Sequence, residues 1–282
     1  MKISSYTKSQ ARRDLPRRST SDNKTRGGKC LIIAGSKNMP GAAILCARAA
    51  ARMGAGYVHL FKPNLPSLAQ SEPDFLWQSK LTASDLRRFQ AVALGPGCES
   101  QAQLRRLIRL LLKTQFVNVV LDAEALNVLA SLKLRLPSTW ILTPHEGELA
   151  RLLDVDAELI RRDRAFYARL ARQKFGATVL LKGHGTLIAA STRLYKVSTG
   201  TPALAKAGTG DVLTGMITAL LAQGLNAEKA ACLGAYIHGM ISQRWEIERN
   251  DVLSLMARDL IERLPGDLRR LRSGSSARPN NG

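Results

Sequence analysis

Between residues 30 and 264, short apolar or β-branched runs alternate with longer stretches of helical period, and that alternation admits few architectures. A run of four to six such residues bounded by turn residues reads as a strand. A following helical stretch brings the chain back to lay the next strand parallel to the last. The pattern predicts strands at 30–34, 56–61, 91–94, 117–121, 140–142, 178–181 and 186–189. Helices are predicted at 41–53, 101–114, 123–130, 146–152, 163–175, 210–221, 227–244 and 252–263. This is an α/β chain with a mostly parallel sheet. The last three helices are rich in Ala, Leu and Gly, so they can pack side by side on one face of it. No linker and no internal repeat divides the middle, which favours one domain.

Composition limits what lies around that domain. With 45% hydrophobic and 23% charged residues over 282 positions, the chain is neither disordered nor a disulfide scaffold. Cys30, Cys46, Cys98 and Cys232 lack metal-ligand spacing, and their apolar neighbours predict buried, reduced thiols. Residues 1–29 hold nine cations and only Asp14 and Asp22 as acids, with no apolar signal segment, so a mobile or peripheral basic arm is expected. Residues 265–282, which end in a stretch rich in Ser, Gly, Pro and Asn, are expected to be a flexible tail. Arg48, Arg52 and Asp211 interrupt every stretch long enough to approach a membrane span, so the expected protein is soluble and cytoplasmic. The net charge of +20 raises the question of nucleic acid. Neither an aromatic-interleaved basic motif nor zinc-finger spacing is present, so no specific nucleic-acid partner is expected beyond weak attraction by the arm.

The sharpest local feature is Ala207-Gly208-Thr209-Gly210-Asp211-Val212-Leu213-Thr214-Gly215, followed by an apolar helical run. Its glycines allow tight turns and bare backbone, and the helix behind them offers unpaired N–H groups to an anion. Asp211 beside that anion hole would be placed to accept a proton from a hydroxyl during phosphoryl transfer, or it could simply cap the helix. Gly35-Ser36-Lys37-Asn38-Met39-Pro40-Gly41 lacks a Walker A ending but is suited to a second backbone cradle. Asp122 and Asn127 follow a predicted strand, where they could meet a metal, a ribose or an amide, or cap the next helix. Thr143-Pro144-His145-Glu146-Gly147-Glu148 follows the next strand, and His145 and Glu146 could contact a substrate there. Lys182-Gly183-His184-Gly185-Thr186 forms a tight connection in which Lys182 either neutralises a phosphate or is an exposed turn cation. His59, His145, His184 and His238 are scattered without zinc-motif spacing.

These segments, with Gly41-Ala42, Gly54-Ala55-Gly56 and Gly95-Pro96-Gly97, occur in the order seen in NAD(P)H-hydrate dehydratases, and the chain resembles that family over roughly 30–264. The 207–215 segment alone is shared with the wider ribokinase-like superfamily. The resemblance implies a ribokinase-like three-layer fold with a central mostly parallel sheet flanked by helices. It also implies repair of hydrated NADH and NADPH: a nucleotide phosphorylates the ring hydroxyl of the S hydrate, and phosphate then leaves to restore the double bond. ADP is the implied donor, giving AMP and phosphate, with ATP the alternative and Mg2+ bridging nucleotide oxygens. By the same resemblance Asp211 is the base, and Gly41, Ala42, Gly97 and His145 with Asp211 hold the hydrate. Lys182, Gly183, His184, Gly185 and Thr186 with Ala207, Gly208, Thr209 and Gly210 hold the nucleotide; Asp122, Asn127 and Glu146 are further polar candidates. Met39 stands where the family often has Tyr, and Glu146 where Pro is common. Some family members carry an epimerase domain; 29 residues are too few for one, so a separately encoded epimerase is expected, as is a homotetramer. A small-molecule kinase of the same superfamily would share the glycine loop and Asp211, and formation of NADH from its hydrate separates the two readings.

Overall fold

Alternate side chains along the central strands belong to two different cores, and this sets the layering of the computed structural model, which describes residues 3–17, 19, 24–61 and 72–274. The strands are β1 (Ile3–Ser5), β2 (Lys29–Ile33), β3 (Tyr57–Phe61), β4 (Leu76–Gln78), β5 (Ala91–Leu94), β6 (Val119–Leu121), β7 (Ile141–Leu142), β8 (Thr178–Leu181), β9 (Thr186–Ala189) and β10 (Leu194–Val197). The helices are α1 (Lys8–Asp14), α2 (Pro40–Arg52), α3 (Ala83–Leu86), α4 (Gln101–Lys113), α5 (Glu124–Ala130), α6 (Glu146–Leu153), α7 (Ala157–Arg162), α8 (Arg164–Phe175), α9 (Thr209–Ala222), α10 (Ala227–Ile247) and α11 (Ala257–Ser273). Ile32, Ala93, Val120 and Leu180 join α2, α9, α10 and α11 in one core. Leu31, Val92, Leu121 and Val179 join α4, α5, α6 and α8 in the other. The result is a three-layer α/β fold whose central strands are buried on both faces.

The strand order is β1-β10-β9-β8-β7-β6-β5-β2-β3-β4. Neighbours from β4 to β8 pair in parallel, whereas β9 pairs antiparallel with both β8 and β10. The chain runs outward through β2, β3 and β4, then returns to β5 on the other side of β2. The β2/β5 boundary is therefore the topological switch point, and ligands of open α/β sheets collect beyond the carboxyl ends of strands at such a boundary. No helix among the described residues is long and apolar enough to cross a membrane.

Three expectations are corrected. The 1–29 segment is not simply a mobile arm: β1 pairs in parallel with β10, and α1 follows with Thr7 and Gln10 forming its capping box. Tyr6, Ala11 and Leu15 are buried, and the Tyr6 ring meets Tyr195 and Tyr236 edge-on. The tail expected at 265–282 is helical to Ser273, and residues 275–282 lie outside the described residues. α11 continues through Pro265 because Leu264 and Leu271 are buried and Asp267, 1% exposed, pairs with Arg244 of α10 at 2.6 Å. Of the four thiols, Cys30, Cys46 and Cys232 are buried, but Cys98 is half-exposed beside the Ile33 carbonyl, because it follows the glycine turn after β5.

Close approach of backbones locks α9 in place. A Cβ on Gly215 would lie 2.1 Å from the Cys46 carbonyl of α2, and one on Gly234 would lie 2.6 Å from Ile217. Gly215→Ala is therefore expected to force α2 and α9 apart and to cost roughly 1–3 kcal/mol. A Tm equal to that of the parent in thermal unfolding would show that the interface has slack.

Candidate active site

The loops after β2, β5, β6, β7 and β8 meet at one edge of the sheet. Gly35 N–H donates to the Pro96 carbonyl at 2.6 Å and Gly95 N–H to the Ile33 carbonyl at 3.0 Å, which joins the first two loops across the switch point. Gly95 has φ +121°, and a Cβ there would sit 2.0 Å from the Asp122 carbonyl, so only glycine fits. Gly97 packs against Ala42, with a Cβ-to-Cβ separation of 2.7 Å were it substituted, while Gly41 faces open space. Gly41, Ala42 and Gly97 thus form one backbone-lined surface, with exposed Met39 at its rim.

Beside that surface lies a buried polar network. Asp122, 2% exposed at the end of β6, accepts from Lys182 Nζ at 2.9 Å and from Thr214 Oγ1 of α9 at 2.8 Å. Lys182 also lies 3.6 Å from Glu148. Burial works against the ammonium, but the Asp122 and Glu148 carboxylates outweigh it and raise the Lys182 pKa. Lys182 is accordingly an ion-paired site cation, not an exposed turn cation. Asp122 does not cap α5 either, whose N-cap is Ala123 without a side-chain bond.

α9 begins on Gly208 at φ +87°, again without a side-chain cap, so Asp211 sits one position past Gly210 in the first turn and is not the cap. Its carboxyl pKa is pushed up to about 7 by burial and by the Asp122 charge, with Lys182 pulling the other way. Such a group is half-ionised near neutrality, suited to taking up a proton. His238, buried on α10, is held neutral by burial with a pKa of about 4, and its ring nitrogen Nε2 bonds the Thr209 carbonyl at 3.0 Å.

A cavity of about 280 Å³ opens against this first turn. Its walls include Lys182, Gly183, His184, Gly185, Thr186, Thr209 and Gly210, all singled out in the sequence. Ala207 and Gly208 are not among its lining residues, and Gly208 packs instead toward Leu45 and Ala257. The opposite wall, from Thr199 to Ala205 and from Ala235, His238 and Gly239, carries no sequence signal beyond a Thr/Gly/Pro loop and a helix that reads as core. Gly239 is the point of contact between them, since a Cβ there would strike the Thr199 carbonyl at 2.6 Å.

The remaining candidates fall outside the network. His145 caps α6: its Nδ1 accepts from Gly147 and Glu148 N–H, while Glu148 accepts from His145 N–H at 2.8 Å. Its other ring nitrogen, Nε2, lies 3.6 Å from the Glu148 carboxylate, on a side chain 54% exposed. Asn127 is committed to Glu124 and Arg151 at 2.8 Å each. The Glu146 carboxylate pairs with Arg164 at 3.0 Å. Among the described residues no cluster of three His, Cys, Asp or Glu side chains could hold a metal unaided.

A family model described as NAD(P)H-hydrate dehydratase matches residues 30–266. The chain is 35% identical over 257 residues to the bifunctional NAD(P)H-hydrate repair enzyme Nnr of Coxiella burnetii, covering 89% of this chain and 52% of that one. It thus spans about half the length of the bifunctional relatives it matches. It is 32% identical to the ADP-dependent (S)-NAD(P)H-hydrate dehydratase of Bacillus subtilis, with 94% and 98% covered. The crystal structure of the ADP/ATP-dependent NAD(P)H-hydrate dehydratase from Bacillus subtilis, co-crystallised with ATP/Mg2+, superposes with a TM-score of 0.86 at 30% identity, covering 96% and 99% of the two chains. A ribokinase-like superfamily protein of Enterococcus faecalis shares the fold, with a TM-score of 0.85 at 22% identity and 95% and 96% covered.

The raised Asp211 pKa has a signed effect on stability. The folded chain holds this proton up to about pH 7 while the unfolded chain releases it near 3.8, so a penalty grows across that window and persists above it. Asp211→Asn is expected to stabilise the protein by roughly 1–3 kcal/mol at pH 8, after allowance for solvent screening, and by nothing at pH 3.5. Denaturant titrations at the two pH values measure this, and equal effects would disprove the shifted carboxyl.

Proposed function

Because the chain belongs to the NAD(P)H-hydrate dehydratase family, we propose that it converts the S hydrate of NADH or NADPH to the intact dinucleotide at the expense of ADP, with ATP as the alternative donor. The observation that carries this reading is the placement of Asp211, with its pKa of about 7, between an anion-ready helix start and the Asp122–Lys182 pair.

In this reading the nucleotide occupies the cavity bounded by Lys182 to Thr186 and by Thr209 and Gly210, with Ala207 and Gly208 just outside its lining. The hydrate lies over Gly41, Ala42 and Gly97, with the half-exposed His145 ring beside it. Asp211 takes the proton from the ring hydroxyl as that oxygen bonds to the terminal phosphorus of the donor and the phosphoanhydride bond breaks, releasing AMP from ADP. The Thr209 and Gly210 amides at the helix start receive charge developing on the phosphoryl oxygens. The ring C–O bond then breaks, phosphate leaves, and the adjacent carbon gives up a proton as the double bond forms. Hydroxide would be a poor leaving group; phosphate is a good one.

With no cluster of three metal-ligating side chains among the described residues, Mg2+ would be held mainly by phosphate oxygens and water. Bound with the nucleotide, Mg2+ would neutralise charge on those oxygens. Residues 30–264 are taken as the catalytic domain. Homotetrameric assembly, a cytoplasmic location and a separate epimerase that supplies the S hydrate complete the proposal.

The decisive experiment incubates the protein and magnesium with S-NADH hydrate and ADP, ATP or no nucleotide, following NADH and phosphate together. Nucleotide-dependent appearance of both is expected; a stable phosphorylated product with no NADH would turn the reading to a kinase. Asp211→Asn should leave nucleotide binding largely intact and lower kcat by about 10²–10⁴-fold. Lys182→Ala should act mainly on KM for the nucleotide. The pH profile of kcat/KM should rise to a plateau above about 7. Asp122→Asn removes a charge that raises the Asp211 pKa, so its rising limb should move to lower pH, and a limb that stays put would remove Asp211 as the titrating base.

A further inference from the structure

The side chain that holds the nucleotide loop in shape lies outside every sequence motif. Arg164, the first residue of α8, donates from Nη2 to the carbonyls of Lys182 at 2.9 Å and Leu181 at 3.4 Å. From Nη1 it donates to the carbonyls of His184 and, at 3.4 Å, Gly185. Its Nε lies 3.0 Å from Glu146, and only 17% of the Arg164 side chain is exposed. Burial lowers its pKa and the Glu146 charge opposes that, while a guanidinium stays protonated in either case. Gly183 is fitted to this contact: its φ is +133°, and a Cβ would stand 2.6 Å from Nη2.

Peptide bonds among the described residues are all trans. In a trans peptide the N–H points opposite to the C=O of the same plane. Turning the Lys182 and His184 carbonyls toward Arg164 therefore turns the Gly183 and Gly185 amides the other way. Both glycines line the cavity, and Arg164 does not.

We infer that Arg164, held in place by Glu146, is a positioning residue that presents the Gly183 and Gly185 amides to anionic oxygens of the nucleotide; this rests on the nucleotide-binding reading of that cavity. Four carbonyls on one guanidinium fork is a task a lysine ammonium cannot take over, because its three donors share one nitrogen. The inference also gives Glu146 a purpose at a position where the family resemblance leads one to expect proline. Glu146 is the first residue of α6, where proline is well accepted, so Glu146→Pro deletes the carboxylate without breaking the helix.

The test is calorimetric titration of the full chain with ADP and magnesium, alongside steady-state kinetics. Arg164→Ala should raise Kd and KM for the nucleotide about tenfold or more, with kcat at saturation changed less than about threefold. Arg164→Lys should fail to rescue, Glu146→Pro should give an intermediate loss, and the double variant should be no worse than Arg164→Ala, because both act through one device. If Arg164→Ala does not fold, Arg164→Lys and Glu146→Pro carry the same test. A folded Arg164 variant that binds with the parent Kd, or one that loses kcat with KM unchanged, overturns the inference. A parent chain that binds ADP but makes no NADH overturns the dehydratase reading while the Arg164 variants still decide this one. A folded parent that binds neither ADP nor ATP overturns both.

Discussion

A single buried carboxylate holds the working edge of this sheet together. Asp122 has one oxygen on Lys182 and the other on Thr214, so the end of β6, the end of β8 and the first turns of α9 meet on one side chain. A charge this deeply buried is tolerable only when paired and hydrogen-bonded, and Asp122 is both. The same negative charge then acts on its neighbour. Added to the larger effect of burial, it raises the affinity of Asp211 for a proton while Lys182 restrains the rise, so one side chain bears on both the geometry of the helix start and the basicity of the group it carries. Gly95 belongs to the same arrangement, since any side chain there would run into the Asp122 backbone.

Much of this was legible in the sequence, and the exceptions are instructive. The strands at 91–94, 178–181 and 186–189 fall where the apolar runs place them, because strands buried on both faces need an unbroken apolar run to exist. β1, β4 and β10 escaped notice: each is three or four residues long and carries polar or exposed side chains, too few for a period to register. The first 17 residues misled through their charge. Tyr6, Ala11 and Leu15 anchor the segment, and three apolar side chains among many cations are invisible to composition.

The site divides along the same line. Candidate residues that would act through their backbone announced themselves as glycines, Gly95, Gly97, Gly183 and Gly185 beside strand ends and Gly210 in the first turn of α9. Residues that act by reaching across from another element did not. Arg164 opens an ordinary helix, His238 lies inside one, and Thr199 to Ala205 look like any surface connection. What brings them to the cavity or to the loop behind it is tertiary packing, including the contact of Gly239 with Thr199, and no local pattern encodes it.

The pairing of β1 with β10 bears on the order in which the molecule can be assembled. Ile3 finds its partner only when Leu194, far along the chain, has been synthesised. Until then β1 has no sheet to join, and β10 depends on β9 alone for its other neighbour. Closing so long a loop is slow relative to the local crossovers, which can condense as they emerge. β1 would therefore stay unpaired while the intervening elements are made, the charges around it keeping an open strand from recruiting the wrong companion before the right one exists.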